Sequence, residues 1–216
     1  MSYAMAVGMM GGIGADWLAD SLLRKGYGLA SGQRAVRRWA LVLLSIGLAV
    51  SLQAQHGLGW AFATRWACAV LLLIIAAIDL EHRLVPNVLL GAGSVLAFLS
   101  QLFVLRWGLL SVLAGAAVGG GLFLLIALLR RGAMGWGDVK LAALIGMITG
   151  FPGVLQALVV GILLGGVAAA LLLLIRLRQP KQYMPYAPYL VAGCLATLLY
   201  GPPIAAWYSS FVRAGG

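Results

Sequence analysis

The chain has 216 residues, of which 63% are hydrophobic and 9% charged, with a formal net charge of +10. A water-soluble domain of that size lacks the interior volume to hide so much apolar surface, so the bilayer is the expected solvent. The continuous apolar runs exclude a membrane barrel, which alternates apolar and polar residues, and the basic residues lie in short clusters between those runs rather than along a nucleic-acid-binding face.

Eight helical spans are predicted, at 3–23, 39–54, 61–79, 87–105, 109–129, 138–150, 154–175 and 186–208. The fold class is therefore all-α, a polytopic membrane protein in a single domain over residues 1–216. The opening Met1-Ser2-Tyr3-Ala4 lacks a basic region, so the first span is expected to be retained rather than removed as a signal. That span carries Asp16 and Asp20, read as polar contacts near a helix end. The sixth span is short and requires shielding by its neighbours. Gly115 and Gly119, like Gly161 and Gly165, have the four-residue spacing that lets membrane helices pack closely.

Lys and Arg divide unequally between alternate connections. Arg24, Lys25, Arg34, Arg37, Arg38, Arg83, Arg130, Arg131, Lys140, Arg176, Arg178 and Lys181 fall on one side, against Arg65, Arg106 and Arg213 on the other. The first side is expected to face the cytoplasm, with both termini opposite. Arg130 and Arg131 are expected to lie near anionic headgroups, making membrane lipid a partner. Cys68 and Cys194 lie in apolar runs without CxxC spacing, and His56 and His82 have no partners at metal-ligand spacing. No metal, cofactor or nucleic-acid partner is expected.

Of the five acidic residues, two terminate or open apolar stretches on the predicted cytoplasmic side. Asp79 ends the run Ala69 to Ile78, and Asp138 follows Gly135-Trp136-Gly137. A carboxylate at membrane depth is costly unless paired or wetted, which makes each a functional candidate. The glycines flanking Trp136 permit unusual backbone angles and close approach of another segment, suiting a bend beside a polar cleft. Asp138 then sits at a helix N-terminus, which favours negative charge, and Asp79 near a C-terminus, which disfavours it. Such opposed environments suit a pair sharing one proton, Asp138 ionised and Asp79 protonated. A helix cap at Asp138 and an i,i+4 pair of Asp79 with Arg83 would explain the same spacing without chemistry.

The context of both aspartates resembles the type IV prepilin peptidases, membrane aspartic proteases of the GxGD kind. The matching segments are Asp79 followed by Val85-Pro86-Asn87, then Gly135-Trp136-Gly137-Asp138-Val139-Lys140-Leu141, then Pro185-Tyr186-Ala187-Pro188-Tyr189. The resemblance runs over about 68–193 and implies Asp79 and Asp138 as the catalytic pair. Pro86, Asn87, Gly135, Gly137, Pro185 and Pro188 would then support the cleft. Lys140 either tunes Asp138 or steers substrate, or it snorkels to the interface. The implied substrates are prepilins or pseudopilins, cut at a short basic leader on the cytoplasmic face of the cytoplasmic membrane. Many members carry paired CxxC motifs in an early cytoplasmic insertion and also methylate the new N-terminus. The connection from Arg24 to Arg38 has no such motif, so zinc and methyl transfer are not expected. A proton-coupled transporter and a non-catalytic pilus or secretion assembly protein are the rival classes.

Overall fold

The computed structural model describes residues 2–26, 34–105, 108–129, 135–175 and 185–214, with side chains described as far as Gly201 in the last segment. Arg106, Arg130, Arg131, Arg176, Arg178 and Lys181, which carry part of the predicted orientation, lie outside these residues, as do the side chains of Lys25, Arg34 and Arg213. Among the described residues eight α-helices follow in order: α1 Ser2–Ser21, α2 Arg34–His56, α3 Trp60–His82, α4 Asn87–Leu99, α5 Leu109–Leu129, α6 Trp136–Thr149, α7 Gly153–Leu174 and α8 Ala187–Ala214. Short π-helical turns extend α1 over Leu22–Gly26 and α4 over Ser100–Leu105. Among the described residues there is no strand, and the protein is an all-α polytopic membrane protein.

Each predicted span coincides with a helix, but among the described residues five stretches are long and apolar enough to cross a bilayer. These are Ala35–His56, Trp60–His82, Asn87–Val104, Leu109–Leu129 and Gly153–Leu174. The short α6 has 14 residues, about 21 Å at 1.5 Å per residue, against a hydrocarbon thickness of about 30 Å. It is surrounded instead of spanning alone: Leu141, Ala142, Leu144 and Ile145 are buried, within a core shared with Leu72, Ile75 and Ile78 of α3, Phe123 of α5, Leu158 of α7 and Leu190 of α8.

Small residues set the spacing of that core. A Cβ at Gly115 or Gly119 would collide with the carbonyl oxygens of Gly146 and Ala142 on α6, so these helices touch backbone to backbone. Gly161 meets Leu190, and Gly165 accepts the ring of Tyr186, whose Cε2 would stand 2.7 Å from an added Cβ. All four glycines of the predicted spacing thus serve packing. Gly119→Leu is expected to lower stability by at least ~1–3 kcal/mol through overpacking, a fall in Tm of roughly 2–4 °C for each kcal/mol. Thermal unfolding in detergent or lipid measures it.

The amino-terminal helices are joined differently. Arg37 donates from Nε to Asp16 Oδ1 at 2.9 Å and from Nη1 to Glu81 Oε2 at 3.0 Å, and Arg38 Nε donates to Asp16 Oδ2 at 3.0 Å. Arg24 pairs with Asp20 at 3.1 Å. The expected polar contacts of Asp16 and Asp20 therefore form, and they make an ionic cluster connecting α1, α2 and α3. This corrects one boundary: α2 begins at Arg34, five residues before the predicted start at 39. The helix continues through its basic residues because the charge of Arg37 is met by carboxylates inside the protein rather than by water.

Candidate active site

Asp79 occupies the last turn of α3, and the backbone carbonyl of the same residue accepts the Arg83 N–H at 2.8 Å. Arg83 closes the helix with φ 53, a left-handed conformation uncommon for a residue with a side chain. The chain then runs through Leu84 and Val85 to Pro86. That proline, at φ −67 and ψ 123, precedes Asn87, the first residue of α4, as its ring geometry favours.

Asp138 is the third residue of α6, and its N–H donates to Gly135 O at 3.0 Å. A carboxylate in the first turn lies where the helix dipole favours it. The flanking glycines act only in part as expected. Gly135 precedes the helix in an ordinary extended conformation, φ −77 and ψ 145, and Gly137 is helical, so neither uses a positive φ. What Gly137 supplies is space: a Cβ there would meet Val85 Cβ at 2.9 Å and Cγ2 at 3.1 Å.

The two carboxyls, 59 positions apart (138 − 79), line one cavity of about 220 Å³ with Arg83, Val85, Asn87, Gly135, Trp136, Gly137 and Lys140. Both aspartates are buried, at 3% and 5% exposure, whereas Trp136 is 66% exposed. Lys140 Nζ donates to Asn87 Oδ1 at 2.9 Å, tying α6 to α4 beside the cavity. This contact is an exposed hydrogen bond to a neutral amide oxygen, and such bonds contribute about 0.5–1.5 kcal/mol net. Lys140→Ala is accordingly expected to retain activity within about tenfold of the parent, as is Asn87→Ala. Their double variant should be less than additively impaired, measurable as kcat/KM.

Sequence reasoning missed a third contributor. Ala187 N–H, at the start of α8, donates to Asp79 Oδ2 at 3.2 Å. Neighbouring Tyr186 packs its ring at 6.1 Å from Phe123 and 6.4 Å from Tyr189, fixing where α8 begins. Pro185 and Pro188 flank this amide without lining the cavity, and Pro86 is likewise buried outside its lining. An i,i+4 pair with Arg83 was the alternative reading of Asp79 without chemistry; the Arg83 backbone closes the helix and its side chain lines the same cavity. His82 Nε2 lies 3.6 Å from Glu81, His56 contacts Arg65, and Cys68 and Cys194 are buried free thiols.

Fold and site together define a polytopic helical membrane protein with two buried carboxyls facing one small cavity between helix ends. Residues 66–170 match the type IV leader peptidase family, and the chain belongs to that family. Relatives called prepilin leader peptidase/N-methyltransferase are 33% identical over 145 residues in Bacillus subtilis, 33% over 187 in Stutzerimonas stutzeri and 30% over 182 in Pseudomonas aeruginosa. These alignments cover 64%, 82% and 81% of this chain but 56%, 63% and 62% of the respective relatives, so the chain spans rather less than two thirds of their length. No solved structure matches the chain.

Proposed function

We propose that the chain is a membrane-embedded aspartic endopeptidase that removes the short leader from prepilins or pseudopilins, with Asp79 and Asp138 as its catalytic pair. The observation carrying this reading is that both buried carboxyls open onto one cavity. One carboxylate takes a proton from the attacking water while the other donates to the carbonyl oxygen, then assists departure of the amine.

In this reading Asp138, at the start of α6, holds the charge, and Asp79 holds the shared proton on Oδ1. Its other oxygen, Oδ2, receives the Ala187 N–H and is thus engaged as an acceptor. The Ala187 contact would also fix the carboxyl's rotamer, so that the proton is aimed before substrate arrives. The excess of basic residues on one side supports an active site at the cytoplasmic face of the cytoplasmic membrane. Prepilins are the implied substrates because the named relatives are prepilin leader peptidases.

The test is to incubate the purified chain in lipid vesicles with a prepilin and follow leader removal by mass spectrometry. Cleavage at one bond, lost in both Asp79→Asn and Asp138→Asn, is the expected result. A protein that moves protons across the vesicle but leaves prepilin intact would instead be a transporter.

A further inference from the structure

The segment from Asp79 to Pro86 is held at two points by different parts of the fold. On one side Glu81, two residues after Asp79, accepts from Arg37 Nη1 at 3.0 Å, and Arg37 is itself fixed by Asp16 at 2.9 Å. The Arg37 and Asp16 side chains are only 4% and 5% exposed. On the other side Val85 rests directly on Gly137, one residue before Asp138. Between the two lies Arg83, at φ 53. An arginine stays in that conformation where its surroundings over-determine it.

A buried ionic cluster is a poor means of raising stability, because apolar side chains of the same volume often do better. What it provides is direction: a guanidinium fork accepts partners only along fixed lines. Here those lines run from α1 through α2 to the end of α3, beside one of the two carboxyls. We infer that Glu81 is a positioning residue: its pair with Arg37 holds the last turn of α3 and the turn after it, so that Val85 stays seated on Gly137 and the Asp79 and Asp138 carboxyls stay in one cavity. The inference rests on the reading of those carboxyls as the catalytic pair.

Among the described residues, the charged or titratable groups facing Glu81 are Arg37 of α2 and His82 of its own helix, with Asp16 and Asp20 of α1 next to Arg37. The aspartates face Arg83, Lys140 and Tyr186. None of the latter three belongs to the cluster, and Glu81→Ala and Glu81→Gln remove the same charge, so a difference between those two variants reports geometry.

The experiment measures kcat and KM against pH for prepilin cleavage by the full chain in lipid, comparing the parent with Glu81→Ala, Glu81→Gln and Arg37→Lys. Glu81→Ala is expected to lower kcat by about tenfold to a hundredfold, with KM changed by less than about threefold. The acidic and basic limbs of its profile should draw together, because carboxyls held farther apart compete less for one proton. Glu81→Gln keeps an oxygen acceptor for Arg37 Nη1 and should recover most of the rate and the parental limb spacing. Arg37→Lys should fall between them.

A role in stability alone would reduce amplitude in proportion to the folded fraction and leave both limbs where they were. That result, or a parental profile in Glu81→Ala, overturns the inference. Should Glu81→Ala fail to fold, the limb spacing of Glu81→Gln and Arg37→Lys decides the matter by the same criterion. Cleavage by Asp79→Asn would overturn the catalytic pair itself, and the role of Glu81 with it, whatever the Glu81 variants do.

Discussion

Replacing either Asp79 or Asp138 with asparagine is expected to slow prepilin cleavage by roughly 10²–10⁴-fold, the range set by loss of a positioned general acid or base. Asparagine matches the carboxyl in shape but neither holds nor accepts the transferred proton. On the proposed reading the two residues form one proton-sharing unit, so the double variant should be scarcely slower than either single one. Stability should follow another course. Both side chains are buried; Asp138→Asn replaces the charged member of the proposed pair by an amide that is easier to bury, and Asp79→Asn exchanges one uncharged group for another. In Asp79→Asn the side-chain amide oxygen would still accept the Ala187 N–H. Tm should therefore hold or rise slightly while activity disappears. Single-turnover cleavage and thermal unfolding on the same preparations separate the two effects. A rate within tenfold of the parent in either variant would remove that carboxyl from the chemistry.

The helices were legible because their signal is local. Apolar runs of bilayer length identify α2 to α5 and α7 without knowledge of their neighbours, and the break at Phe151-Pro152-Gly153 separates α6 from α7. The two aspartates were legible because carboxyls are rare in such runs. Their shared cavity was not derivable, since it depends on how α3, α4 and α6 meet. Two further features were hidden for physical reasons. The Ala187 N–H is a main-chain donor, identical in type to every other amide, and only the fold directs it at Asp79. The pairing of Arg37 with Asp16 and Glu81 joins residues 21 and 44 positions apart. Read along the chain, Arg37 was one more positive charge on the cytoplasmic side. Its burial follows from three helices converging, which no local pattern reports.

Gly137 offers the sharpest separation between these levels, because its local and tertiary roles predict opposite signs. It lies in the first turn of α6, where alanine is the better residue by about 0.5–1 kcal/mol on helix propensity. If conformational freedom were its purpose, Gly137→Ala would stabilise the protein or leave it unchanged. The added methyl, however, would stand 2.9 Å from Val85 Cβ. Val85 has little room to retreat, being held between left-handed Arg83 and Pro86 at the start of α4. Overpacking of this kind costs ~1–3 kcal/mol, enough to reverse the propensity gain. The strain falls between the segments carrying the two aspartates, so kcat/KM should drop by about a hundredfold. Relief should be graded by the atoms removed from residue 85. Val85→Ala takes away Cγ2 but leaves the Cβ in collision, and so rescues Gly137→Ala poorly. Val85→Gly removes both and leaves the nearest atom, Cα, at 3.9 Å, so it should restore much of the rate even though it loosens the turn by itself. A double-mutant cycle on kcat/KM should give a coupling of about 0.5–3 kcal/mol in favour of the pair. Additive losses would mean that Gly137 answers to something other than Val85.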